Sequence, residues 1–204
     1  MKLYTNPMSP NCKRAAVTAA ELGLPLEKVI LDPSKGQNKT PEYLALNPMG
    51  KIPTFQDDDG WVLWESTAIA LYLAEKHPQK GLLPAASDVR ARANVHRWLS
   101  WNASHLERGV YEVFGQRVLR PMLGGTTDET IAAQGEKDLG RFLPVLNGLL
   151  EGKEWVAGTF GVADIALGVS TELLRHPGCK FDLTPYVHVG LWLDRLAARP
   201  SWKA

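Results

Sequence analysis

The segment NPMSPNCKR, Asn6 to Arg14, follows a short apolar run and leads into an alanine-rich stretch. Ser9, Pro10, Asn11 and Cys12 have the layout of a Cys-Pro-x-Cys thiol-disulfide motif whose first sulfur is replaced by oxygen. Such a turn is suited to managing a thiol that arrives on a ligand. Ser9 before Pro10 also reads as a helix N-cap with proline at the first helical position, a device worth about 1 kcal/mol. The two roles are compatible, because a hydroxyl accepts a bond from a helix amide while donating its own proton outward. A helix amino terminus favours negative charge, so a thiolate beside Ser9 gains from both effects. Cys12 lies one turn further on, where the dipole lowers a thiol pKa. Ala15, Ala16 and Ala19 behind it turn that position inward, and free cysteine is among the most buried residue types. Ser9 is therefore the expected group at the sulfur, with Cys12 as an alternative.

Two further signals lie downstream. Pro53 opens a strand in KIPTF, where a proline costs no ladder hydrogen bond. If the Ile52-Pro53 bond is cis, the backbone N–H and C=O of Ile52 face outward, ready to pair with an extended peptide ligand. Glu65 and Ser66 then stand at a helix start. Their ordinary reading is a first-turn acid and a cap. Functionally, a carboxylate beside exposed helix amides holds an α-amino group while the amides and a hydroxyl hold the neighbouring α-carboxylate.

The elements around these residues are legible from pattern. KLYT and LEKVILD read as strands separated by a helix from about Asn11 to Leu22, which stops at Gly23 with Pro25 beyond. The first two strands should be parallel. TPEYLALNP reads as a short helix opened by Thr40 and Pro41. IPTFQ and WVLW form a hairpin across DDDG, and ESTAIALYLAEKH forms a helix that stops before Pro78. Residues 78–87, PQKGLLPAAS, read as a linker. Beyond it every element is helical: a long helix kinked near Gly109, a second over about Asp128 to Glu151, a third from about Gly161, and a last over about Val187 to Ala198. The expected domains are thus 1–77 and 88–204, joined by 78–87.

With 23 basic and 22 acidic residues the chain has no net charge with which to neutralise phosphates, so nucleic acid is not an expected partner. No uncharged run reaches the roughly 18 residues of a membrane span, and the amino terminus lacks a signal-peptide pattern. The expectation is a cytoplasmic protein with no membrane partner. Two cysteines, Cys12 and Cys179, and five histidines give no metal-ligand spacing, so no structural metal is expected.

Taken in order and spacing, MSPNCKR, KTPEYLALNPMGKIPTF and WESTAIALYLAEK make the first 76 or so residues similar to the thioredoxin-like domain of cytosolic glutathione transferases. The closest resemblance is to serine-type plant and bacterial members of the phi and theta kind. GVADIAL resembles that family's buried capping motif, with Asp164 at its acidic position and Gly161 where Ser or Thr is usual. The resemblance implies a thioredoxin-like βαβ-α-ββα domain, an all-helical second domain and a homodimer. It implies glutathione as co-substrate with no permanently bound cofactor.

Carried over by position, Ser9 activates the thiol. Ile52 and Pro53 meet the cysteinyl backbone, and Glu65 with Ser66 binds the γ-glutamyl end. Asn38 and Lys39 fall where plant members have a His-Lys pair near the glycine carboxylate, and Lys51 stands where relatives often have glutamine. Disulfide-reducing bacterial relatives have a Thr-Pro-Asn turn, which brings Asn11 forward as a second alternative at the sulfur. Trp98, Trp101 and His105 share a helix face. Trp98 is read as core, and Trp101, His105 and Phe114 as the pocket of a small hydrophobic electrophile. The implied activity is transfer of an alkyl or aryl group to glutathione. The alternatives are a glutathione-dependent disulfide reductase or peroxidase, and a non-catalytic glutathione-binding module.

Overall fold

The computed structural model describes residues 1–204. Two compact units divide the chain, Met1–Leu83 with Ser201–Ala204, and Pro84–Pro200. The division falls inside the turn-rich stretch 78–87, and the last four residues rejoin the first unit.

The first unit contains β1 (Lys2–Thr5), α1 (Pro10–Leu22), β2 (Glu27–Ile30), α2 (Pro41–Leu46), β3 (Thr54–Gln56), β4 (Val62–Trp64) and α3 (Ser66–Lys76). The sheet order is β2-β1-β3-β4. Strands β1 and β2 are parallel, which the intervening α1 allows, and the other pairs are antiparallel. Tyr4 stands opposite both Val29 and Thr54, and Thr54 opposite Trp64. This is the expected βαβ-α-ββα arrangement. Helix α1 ends at Gly23, whose φ of 71° is the left-handed conformation that closes a helix without Cβ strain. Helices α1 and α3 pack together, and Leu3, Val17, Phe55, Ile69 and Leu73 are wholly buried.

One ionic contact ties the hairpin to α3. The buried Asp57 carboxylate, just past β3, accepts a bond from Lys76 Nζ at 2.6 Å and another from the Tyr72 hydroxyl. The Lys76 ammonium first, and then the Tyr72 hydroxyl, hold its pKa down to about 2. At the chain end, Trp202 is buried with Lys13 Nζ 5.1 Å from its ring centre, and the Ser201 hydroxyl bonds the Glu21 carboxylate. The last turn is thereby fastened along α1.

The second unit is helical throughout. Helices α4 (Val89–Trp101), α5 (Glu107–Phe114) and α6 (Arg120–Met122) run as one rod, joined by π-helical turns at Asn102–Leu106 and Gly115–Leu119. Gly109, near which a kink was expected, lies itself in regular helix, with π-helical turns on either side of it. It sits where α5 crosses α7 (Glu129–Leu150). A Cβ on Gly109 would lie 3.1 Å from the Gly135 carbonyl oxygen, and one on Gly135 would lie 2.8 Å from that of Gly109. The glycine permits close approach of the two helices.

Helices α8 (Val162–Thr171) and α9 (Val187–Ala197) complete the unit. Every residue of α8 is buried, including Asp164. Its carboxylate accepts bonds from the backbone N–H of Val156 at 2.9 Å, that of Gly161 at 3.1 Å, and Trp192 Nε1 at 3.0 Å. Gly161 has no hydroxyl, so the cap keeps its carboxylate half alone. Burial pushes the Asp164 pKa up to about 6 against the pull of those donors.

The two carboxylates act oppositely on stability. A folded pKa held below the ordinary 3.8 means that Asp57 supplies its full contribution above that value and loses it as pH falls toward 2. Asp164, with a raised pKa, contributes most below 3.8 and less as pH rises to about 6. Asp57→Asn should lower unfolding stability at neutral pH by about 1 to 2 kcal/mol. It should also flatten the fall in stability between pH 4 and pH 2. Denaturant titrations across that range check this, and an unchanged acid limb would show that the contact supplies nothing.

Candidate active site

The turn between β1 and α1 is braced by Asn6. Its Nδ2 donates to the Leu31 carbonyl at 2.8 Å, and its Oδ1 accepts from the Met8 N–H at 2.9 Å. Ser9 then caps α1 in an extended conformation, its Oγ accepting from the Cys12 N–H at 3.4 Å. The hydroxyl proton of Ser9 has no acceptor within the chain, so it remains available to a ligand. Cys12 is 1% exposed, and its Sγ accepts from the Asn6 N–H at 3.4 Å. The thiol points into the domain while the serine hydroxyl keeps contact with solvent.

The second component is the loop before β3. The Ile52-Pro53 bond is cis. A polar cluster behind the loop fixes its course. Tyr43 Oη donates to the Lys51 carbonyl at 2.6 Å and shares a 2.8 Å bond with Thr54 Oγ1. Asn47 Nδ2 donates to the Lys51 carbonyl at 2.8 Å and to Thr54 Oγ1 at 3.1 Å, and its Oδ1 accepts from the Met49 N–H. Within this bracing, neither the N–H nor the C=O of Ile52 takes up a hydrogen bond in the chain. Unpaired main-chain groups on a half-exposed residue are a ready edge for a peptide.

Asn38 and Lys39 serve the same loop. Asn38 is buried and donates through Nδ2 to the Gly50 carbonyl at 2.7 Å; Lys39 Nζ reaches the Met49 carbonyl at 3.3 Å. A Cβ on Gly50, whose φ is +57°, would come within 2.6 Å of that ammonium. Asn38 thus acts from inside the loop, whereas Lys39 and Lys51 are exposed.

The third component is the start of α3. Helices α1, α2 and α4 are capped by Ser9, Thr40 and Asp88, but the Glu65 side chain makes no cap bond. Glu65 itself has φ of 74° and ψ of 109°, a conformation that side-chain-bearing residues rarely adopt and that concentrates at ligand clamps. The first amides of α3 are consequently left without acceptors. Beneath them lies a residue that the sequence reading missed. Arg14, 2% exposed, donates from Nη1 to Ser66 Oγ at 2.7 Å, to Asn11 Oδ1 at 3.1 Å and to Thr67 Oγ1 at 3.4 Å. The signal was an arginine placed directly before a run of buried small residues on the inner side of α1. Asn47, Tyr43 and Thr54 were missed for a similar reason, since their work is bracing and lies beyond local pattern.

The three electrophile-pocket candidates do not come together. Trp101 and His105 both pack on Phe142 of α7, with ring centres 6.2 and 5.1 Å away, while Phe114 meets His176 at 6.0 Å. Thirteen residues of helix separate Trp101 from Phe114, about 20 Å along the axis. Trp101 instead lines an open apolar groove of 390 Å³ with Arg97, Trp98, Val145 and Leu149. Trp98 is 6% exposed, as its core assignment requires, and its indole N–H has no acceptor. Cys179 is buried and its thiol is pushed up to about 11 by burial, which leaves it inert near neutral pH. No group of three or more potential metal ligands is present, and no helix is long and apolar enough to cross a membrane.

Residues 1–75 match the family model of the glutathione S-transferase N-terminal domain, and residues 103–200 match that of the C-terminal domain. The chain belongs to the glutathione S-transferase family. Among its relatives, glutathione S-transferase F10 of Arabidopsis thaliana is 35% identical over 199 residues, spanning 97% of this chain and 92% of that one. Glutathione S-transferase 3 of Zea mays is 35% identical over 210 residues, spanning 100% and 91%. A solved glutathione S-transferase-I bound with lactoylglutathione superposes with a TM-score of 0.89 at 31% identity, covering 99% of this chain and 96% of that one. Glutathione transferase F7 of Populus trichocarpa gives 0.90 at 30% identity, covering 99% and 95%.

The bracing role of Asn47 is open to direct measurement. Asn47→Ala should destabilise the first unit by about 1 to 2 kcal/mol, since the substitution removes the bonds to the Lys51 carbonyl and Thr54 Oγ1 and leaves the Met49 N–H without its acceptor. It should also speed amide hydrogen exchange across 48–54 while leaving α1 protected. Equal exchange in the two proteins would show that Tyr43 alone holds the loop.

Proposed function

We propose that this chain is a glutathione transferase in which Ser9 stabilises the glutathione thiolate for attack on a small hydrophobic electrophile. The observation that carries the reading is the uncapped start of α3 beside the open backbone of Ile52. Together these offer what a γ-linked tripeptide needs: amides and a Ser66 hydroxyl for an α-carboxylate, the Glu65 carboxylate for the α-amino group, and a main-chain edge for the cysteinyl unit. Pro53 sets the edge, and exposed Lys39 and Lys51 supply positive charge for the glycine carboxylate. Asn38 supports that end by holding Gly50.

Several features favour Ser9 over its neighbours at the sulfur. Cys12 is enclosed, and the Asn11 carboxamide oxygen is engaged by Arg14 and Ser66. A free thiol near pKa 8.5 is only a few per cent ionised at neutral pH, and lowering it by about two units requires roughly 2.7 kcal/mol. One or two hydrogen bonds to a charged acceptor, at about 1.5 to 3 kcal/mol each, are enough. A perturbed general base is not needed. The groove of Trp101 is assigned to a different task.

That task is self-association. The first unit exposes Met49, Trp61 and Trp64 at 50%, 47% and 38%, and the second unit has the aromatic groove of Trp98 and Trp101. Exposed apolar side chains on one unit and an apolar recess on the other suit a homodimer in which each first unit faces the partner's second unit. The expected setting is cytoplasmic.

Two experiments test these assignments. Ser9→Ala should raise the pKa of bound glutathione toward its free value and lower conjugation of an aryl halide at least about tenfold, with glutathione affinity little changed. Loss of activity in Cys12→Ala with Ser9→Ala active would transfer the role to the cysteine. For assembly, the wild type should sediment as a dimer at micromolar concentration and Val145→Glu as a monomer. A monomeric wild type overturns the dimer.

A further inference from the structure

Arginine at position 14 is costly where it stands. A guanidinium 98% removed from solvent is unfavourable even with the three bonds that Nη1 makes, and a purely structural side chain there would be better apolar. Its Nη1 is directed at the start of α3. The bond to Ser66 Oγ is, at 2.7 Å, the shortest of the three. Ser66 in turn donates its proton to Asn11 Oδ1 across 3.3 Å. The three residues form a closed triangle in which the hydroxyl accepts a short charge-assisted bond and donates a long one.

We infer that Arg14 is a positioning residue for the γ-glutamyl end of glutathione, acting through Ser66. This rests on the glutathione reading above. A hydroxyl whose oxygen faces a buried cation has its proton directed away from that cation, and the charge polarises the O–H bond. Ser66 is therefore preset as a donor toward the uncapped amides of α3, where an α-carboxylate would lie. When a carboxylate arrives, the proton exchanges its weak bond to Asn11 for a charge-assisted one, and Asn11 Oδ1 keeps its bond from Arg14. Nothing in the free protein has to be rebuilt. All three bonds, to Ser66, Asn11 and Thr67, leave the one nitrogen Nη1, which a planar guanidinium holds in a fixed direction and a lysine ammonium on a flexible stem does not. The thiol at Ser9 lies outside this triangle, so Arg14 should govern affinity for the γ-glutamyl group and leave sulfur activation alone.

Calorimetric titration with glutathione and with cysteinylglycine, which lacks the γ-glutamyl group, separates the possibilities. Arg14→Gln should weaken glutathione binding about tenfold or more, with Arg14→Lys also weaker than wild type. Cysteinylglycine should bind both variants as it binds the wild type, and the thiol pKa of bound glutathione should not move. On a Ser66→Ala background, Arg14→Gln should cost only about twofold, because the two act through one bond. Should neither arginine variant fold, the Arg14 side-chain nitrogen resonances of the wild type provide the readout. They should shift on adding glutathione and stay in place on adding cysteinylglycine. Absence of glutathione binding by the wild type would remove the glutathione reading itself. Normal glutathione binding by the arginine variants, equal losses for both ligands, full additivity with Ser66→Ala, or resonances that ignore glutathione would each overturn the role of Arg14 alone.

Discussion

The site depends on hydrogen-bonding groups that the fold declines to use. Burying a main-chain N–H or C=O without a partner is unfavourable by about 1 to 3 kcal/mol, so folded chains pair nearly all of them. Here the amides opening α3 and the backbone of Ile52 take no partner within the chain. They remain in place because residues behind them are fully engaged. Asn47, Tyr43 and Thr54 hold the loop, the positive φ of Glu65 sets the helix start, and Asp57 locks the hairpin to the far end of α3 through Lys76 and Tyr72. Rigidity in the bracing leaves little to be ordered when a ligand binds, which is how a small peptide gains affinity from a few hydrogen bonds.

The second unit shows the opposite treatment of a helix start. At α8 the amino-terminal groups are enclosed, and Asp164 satisfies two main-chain donors and the Trp192 indole from a single carboxylate. A buried acid with that many donors is a structural fastener, and its shifted pKa follows from enclosure. The contrast between α3 and α8 is that between a helix terminus left without partners in the chain and one satisfied within the core. The same criterion distinguishes the two cysteines from Ser9: both thiols are shut in, and the hydroxyl is not.

Much of this was readable from local pattern. Glycine and proline punctuation located α1, α2 and α3, and period-two runs located the strands, because those signals act within a few residues. Ser9, Ile52, Glu65 and Ser66 were legible because each sits at the end of an element, where residue type and position together imply a role. What pattern did not supply were residues whose meaning is a partner distant in sequence. Arg14 reads as one more charge on a helix until Ser66 and Thr67, more than fifty positions away, are placed against it. Gly109 reads as a bend until Gly135 is seen crossing it. The face shared by Trp98, Trp101 and His105 was correct as a face, but periodicity does not say what a face meets, and Phe114 joined the group on composition alone.

The return of Ser201 and Trp202 to α1 makes the second unit an insertion within the first. A polypeptide leaves the ribosome from its amino terminus, so the sheet and its helices emerge first, and domains commonly fold in that order. In this protein the portion made earliest stays unfinished longest. The face of α1 that carries Lys13 and Glu21 meets residues synthesised more than 170 positions later, and until Ser201 and Trp202 emerge it stands without that cover.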